Sequence, residues 1–163
     1  MSFFRFLIAG LVLLLDQATK AVVVARFAEH TVVPVIPGLF RLVRVENTGM
    51  AFGLLGDSSS PLVFWLLTLV SAALLGFIAY LLWSNQTPSA LGGFGLALIL
   101  GGAAGNVVDR LARGKVIDFL DFYLGSYHWP TFNVADSGIV IGAALLVLDL
   151  FRVRKPHPSR DVS

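Results

Sequence analysis

GGAAGNVVDR (residues 101–110), LARGKVIDFLDFYLGSYHWPT (111–131) and FNVADS (132–137) follow one another without a break. This stretch holds Asp109, Arg110, Asp118, Asp121 and Asp136 together with Asn106 and Asn133, and long apolar segments flank it on both sides. Two membrane-spanning helices joined by a polar excursion have this pattern. The rest of the chain is read outward from it.

The 163 residues are 56% hydrophobic and 13% charged, with a mean hydropathy of +0.82. Soluble domains carry roughly 25% charged residues, so about half the usual charge is missing and lipid is the expected solvent. A net charge of +2 is too small to argue for nucleic acid. The absence of cysteine removes disulfides, thiolate nucleophiles and zinc–thiolate sites. His30, His128 and His157 are scattered, without metal-ligand spacing, so no metal and no cofactor is expected.

Four apolar segments are long enough for the roughly 20 residues that cross a bilayer. They are placed at about 3–26, 61–83, 91–110 and 134–151. The second carries no charge and opens on Pro61, where a first-turn proline is tolerated. Trp65 and Trp83 near its ends suit an aromatic belt. The third is rich in Gly and Ala, and its Gly101-Gly102-x-x-Gly105 run is read first as a packing face. Between the helices, 29–60 and 111–133 are extracytoplasmic segments. In the former, Leu39 to Val45 alternates after a Pro-Gly turn and reads as a strand of a small surface sheet. Asp121 looks like an exposed loop acid, and Tyr127 and Trp129 look like interfacial anchors. The fold class is therefore an all-α membrane protein with a small β element: four transmembrane helices, a short extracytoplasmic sheet or cradle, and a surface cover. Residues 1–155 form one integral-membrane domain, and 156–163 a basic tail.

Four spans put both termini on one side. Lys and Arg are nearly balanced between the two sides, so the positive-inside rule does not choose. The dense basic tail suits the anionic cytoplasmic leaflet, which leaves the polar stretch facing outward.

Several polar residues have two readings. Asp16 and Lys20 share a face at i, i+4, either as a buried ion pair fixing the first helix or as part of an active-site network. Asn47 is a turn asparagine or a ligand contact. Asn106 and Arg110 share a face of the third helix, with Asp109 one residue around, and Arg110 can pair with Asp109 or Asp136. Asn133 or Asp136 can cap the fourth helix; alternatively, Asp136 meets Asp118, a carboxylate in the apolar run Val116 to Leu120. Two close carboxylates cannot both ionise comfortably, so such a pair can activate water and protonate a leaving group. A proton-coupled transporter is a second reading of the intramembrane acids, including Asp149, although they form no ladder and the helices show no repeat. A scaffold binding a partner through Asp109–Arg110 is a third.

Five motifs then coincide in order: Asp16-Gln17-Ala18-Thr19-Lys20, Asn47 to Gly53, Gly101 to Arg110, Gly114 to Phe119, and Phe132 to Ser137. Together with chain length and four spans, they make the sequence resemble bacterial lipoprotein signal peptidase over essentially everything before the tail. One departure is Met50, where the family usually has alanine. The resemblance implies an intramembrane aspartyl endopeptidase of the bacterial inner membrane, with both termini cytoplasmic. It implies cleavage of diacylglyceryl-modified prolipoproteins just before the lipidated cysteine. It places catalysis on Asp118 and Asp136, and substrate contacts on Asn47, Asn106, Arg110 and Asn133. Asp16, Lys20 and Asp109 are left as supporting residues. The expected partners are prolipoprotein substrates and membrane lipids, with the enzyme a monomer.

Overall fold

The computed structural model describes residues 2–47, 61–87 and 89–153. Thr48 to Gly53 with Met50, the loop to Ser60 (and with them the expected surface cover), and the tail 156–163 lie outside the described residues. The elements in chain order are α1 (Ser2–Arg26), β1 (Val32–Ile36), β2 (Phe40–Asn47), α2 (Pro61–Trp83), α3 (Ala90–Arg113), β3 (Val116–Leu124), β4 (Tyr127–His128) and α4 (Val134–Val153). Each of the four helices is long and apolar enough to cross a membrane.

α3 is the central helix and packs against α1, α2 and α4. Its small residues make this possible. A Cβ on Gly101 would lie 2.4 Å from the Ala9 carbonyl oxygen of α1, and one on Gly102 would lie 2.3 Å from the Ala135 oxygen of α4. In lipid the hydrophobic effect does not drive helices together, so association rests on such close backbone approach and on polar contacts. Ser89 starts α3 by accepting from the Gly92 N–H, and Gly114, at φ 70°, ends it with its N–H on the Arg110 carbonyl. α3 thus runs past the expected boundary near 110, and Arg110 and Arg113 fall on its last turn.

The sheet is antiparallel in the order β1-β2-β3-β4. The expected strand at 39–45 is β2. Sequence reading missed β3, the nine-residue strand that carries Asp118. β3 pairs with β2 so that Val45 opposes Asp118 and Asn47 opposes Val116. Alternation along a strand sends Ile117 and Phe119 to one face, where they pack with Val23 of α1. Val116 and Asp118 face the other way. Because β3 is covered on both faces at its start, it has no clean polar–apolar alternation, which is why it escaped notice.

Asp121 is a correction. It is not an exposed loop acid but a buried residue of β3, 3% exposed. Arg41 stands directly opposite on β2 and donates to its Oδ2 at 2.5 Å, and His128 Nδ1 lies 3.1 Å from Oδ1. A cross-strand ion pair is a common way to bury an acid on a sheet.

Candidate active site

β3, the end of α3 and the start of α4 converge on a cavity of about 430 Å³ lined by Asn47, Asn106, Arg110, Asp118, Asp136 and apolar neighbours. Each side chain arrives there for a local reason. Asp118 comes from the cavity face of β3. Asn106 and Arg110 are one turn apart on α3. Asp136 sits on the first turn of α4.

Of the two expected caps, Asn133 is the one that caps α4, and Asp136, on the first turn, reaches back to it and also faces the cavity. The Asn133 side-chain oxygen accepts from the Asp136 N–H at 2.9 Å, and Asp136 Oδ2 accepts from the Asn133 N–H at 3.2 Å. This is a reciprocal capping box, which satisfies two helix-start groups and fixes the rotamer of Asp136. Its other oxygen, Oδ1, accepts from Asn106 Nδ2 at 2.8 Å in the cavity.

Asp118 accepts on both oxygens as well: from Asn133 Nδ2 at 2.7 Å on Oδ1 and from Asn47 Nδ2 at 3.0 Å on Oδ2. Asn133 therefore bridges the two acids, binding Asp118 through its side chain and Asp136 through its backbone. Burial pushes the Asp118 carboxyl up to about 7. The Asn47 bond opposes this rise, the Asp136 charge adds to it, and Asn133 and Lys20 oppose it more weakly. Desolvation dominates because an isolated buried carboxylate is costly and a few neutral donors do not replace bulk water.

Arg110 lines the cavity, and its NH1 reaches the Asn106 carbonyl at 3.5 Å. Of the two partners left open for it, Asp109 points the other way, to Lys20 at 2.8 Å and to Arg113. Lys20 also pairs with Asp16 at 2.8 Å, and the three residues of this cluster are fully buried. Every candidate site residue is thus placed either in the cavity or directly behind it. Asp149 is far from them in the fold, at the other end of α4, and accepts from Ser89 Oγ at 2.6 Å. Among the described residues no group of three or more His, Cys, Asp and Glu is placed to hold a metal.

Sequence reasoning missed part of the cavity wall. Trp129, Pro130, Thr131 and Phe132 line it, as do Ser137, Val140 and Ile141. The last three follow Asp136 at +1, +4 and +5, the spacing of a single helix face, and that periodicity was the available signal. Phe132 arrives through a bridge to Leu120 of β3, a contact without a local sequence signature.

Residues 8–152 match the family described as signal peptidase (SPase) II. The chain is similar to the lipoprotein signal peptidase of Solibacter usitatus, at 48% identity over 148 residues, covering 91% of this chain and 90% of that protein. It is also similar to the lipoprotein signal peptidase of Cupriavidus taiwanensis, at 51% identity over 148 residues, covering 90% and 82%. A solved bacterial membrane enzyme structure superposes with a TM-score of 0.83 at 26% identity, covering 98% of this chain and 94% of that one.

Proposed function

The chain belongs to the signal peptidase II family of aspartic peptidases, and on that premise we propose that it removes signal peptides from diacylglyceryl-modified prolipoproteins with Asp118 and Asp136 as its water-activating pair. The observation that carries this reading is the pair's placement. Both acids face one cavity, and Asn133 ties them together. Supporting it, Asp118 titrates near neutrality, so the pair can hold a single proton there and behave as a unit.

The chemistry then follows. The ionised carboxylate takes a proton from a water whose oxygen attacks the scissile carbonyl carbon. The protonated carboxyl gives its hydrogen to the carbonyl oxygen. The resulting tetrahedral diol collapses as the carboxyl that took the water proton passes it to the leaving nitrogen, the C–N bond breaks, and one diol hydroxyl gives its proton to the other carboxylate to restore the singly protonated pair. An unwound peptide in lipid needs partners for its backbone groups. Asn47, Asn106, Asn133 and Arg110 supply donors and acceptors around the cavity for that purpose. The apolar wall contributed by Val140, Ile141 and Trp129 suits the greasy side of a lipidated substrate. Residues 1–155 act as one peptidase unit and as a monomer, with both termini cytoplasmic and the cavity toward the extracytoplasmic face of the inner membrane.

The test is mass spectrometry of a diacylglyceryl-modified peptide before and after incubation with the purified variants Asp118→Asn and Asp136→Asn. Each isosteric change is expected to abolish cleavage while the melting temperature stays close to that of the parent. Retained cleavage in either variant would falsify the two-aspartate assignment.

A further inference from the structure

Behind the cavity, the Lys20 ammonium has three donors and three acceptors. Nζ lies 2.8 Å from Asp16 Oδ2, 2.8 Å from Asp109 Oδ2 and 3.1 Å from Asn106 Oδ1. Its hydrogen-bonding capacity is fully used in a site that water does not reach.

The two carboxylates each hold something else. Asp16 Oδ1 accepts from the backbone N–H of Ala135 at 2.9 Å, and Asp109 Oδ2 accepts from the backbone N–H of Ile117 at 3.2 Å. Ala135 immediately precedes Asp136, and Ile117 immediately precedes Asp118. Two backbone points, each one residue from a reacting acid, are therefore joined through a single ammonium. The joint has little play. A Cβ on Gly105 would meet Asp16 Oδ2 at 2.4 Å, so that carboxylate has no room to swing toward α3.

Lys20 has a further consequence for Asn106. An ammonium can only donate, so Asn106 must turn its oxygen toward Lys20 and its NH2 toward Asp136. Asn133 needs no such help, because the Asp136 N–H and the Ile117 carbonyl already fix its amide.

We propose that Asp16, Lys20 and Asp109 are positioning residues for the reaction: an ionic tie that sets the spacing of Asp118 and Asp136 and aims the Asn106 amide at Asp136. This goes beyond helix pairing, since an ion pair that merely held α1 to α3 would have no reason to grip the amides of residues 117 and 135. The role presupposes that Asp118 and Asp136 are the reacting pair.

The test uses the full-length enzyme and a diacylglyceryl-modified peptide. Lys20→Met alone leaves Asp16 buried without a cation and Asp109 with Arg113 only, so the charge-balanced double variant Asp16→Asn with Lys20→Met carries the measurement. Its new amide oxygen at position 16 still accepts from Ala135. Misplacement of reacting groups costs on the order of 100-fold in rate, and a fall of about that size in kcat is expected, with KM little changed. Affinity for a hydroxyl-bearing isostere of the tetrahedral intermediate should fall in parallel with kcat/KM, while affinity for an uncleavable ground-state lipopeptide should hold. Wild-type kcat in the folded double variant overturns the proposal, and so do equal affinity losses for both ligands. If the double variant does not fold, Asp109→Asn decides by the same criteria, and unfolding of both leaves only a structural role and also overturns it. Asp118→Asn is the control. If that variant still cleaves, the two-aspartate reading itself is lost. If it is dead while the double variant is fully active, only the tie is lost.

Discussion

Asn133 commits both faces of its amide, and what it touches decides how it fails. Its NH2 donates to Asp118 and its oxygen accepts from Asp136 N–H. Asn133→Ala removes the cap, at a cost of about 1 kcal/mol, and frees Asp118. Asn133→Asp keeps the cap but turns an acceptor toward an acceptor, so its cleavage rate should be the lower of the two although its melting temperature is the higher. The reverse order of rates would show that capping, not the Asp118 contact, is what the residue supplies. Asp118 also sets a pH dependence. Its value of about 7 stands above the 3.8 of an ordinary aspartate. The folded protein therefore loses stability as pH rises between those two values, the opposite of a salt-bridged acid. In the proposed two-aspartate mechanism cleavage needs the shared proton, so the rate should fall as pH passes upward through about 7. Asn47→Ala removes a bond that holds the value down, so the alkaline fall should shift to higher pH in a pH–rate profile. At this scale the sequence was informative about residue type and silent about partners. Asp109 stands next to Arg110 in the chain yet pairs with Lys20 of α1 and with Arg113 one turn further along α3, because adjacent helical residues point about 100° apart.

The helices were legible because a run of about 20 apolar residues has a single meaning in lipid. β3 was not, because burial on both faces erases the alternation by which a strand is recognised, leaving Val116 to Leu120 as a short apolar run. Asp121 was misplaced with it: without the strand, nothing in the sequence sets Arg41 opposite it. The glycines of α3 were read as a packing face, and the seam with α4 shows how tight that face is. A Cβ on Gly142 would lie 2.5 Å from the Gly95 carbonyl oxygen and 2.7 Å from Ile99 Cγ1. Backbone cannot step aside as a side-chain tip can, so Gly142→Ala should lower stability by about 1–3 kcal/mol, visible as a lower melting temperature in detergent. Gly76→Ala on α2 meets nothing within 4 Å and should leave the melting temperature level or slightly higher. Equal effects at both positions would mean that α3 and α4 are less closely held than described.

At the scale of the molecule, the sheet and the cavity sit at one end of the bundle, and Ser2 and Val153 lie at the other. The chain has no cysteine, so single replacements report position cleanly. In the proposed orientation, with the termini cytoplasmic, Ser126→Cys in the exposed β3–β4 turn should react with a membrane-impermeant maleimide in intact cells, and Ser2→Cys only after lysis. The opposite labelling would invert the orientation. The cluster around Lys20 also bears on how the protein is made. α1 emerges from the ribosome about 90 positions before Asp109, and at roughly 5–20 residues per second that is a wait of about 4–18 s. Throughout this interval an ammonium must sit in or near lipid without its second carboxylate. Asp16, one turn away on the same helix at 2.8 Å, lets the middle of α1 enter the bilayer with no net charge and holds the lysine in place until α3 arrives.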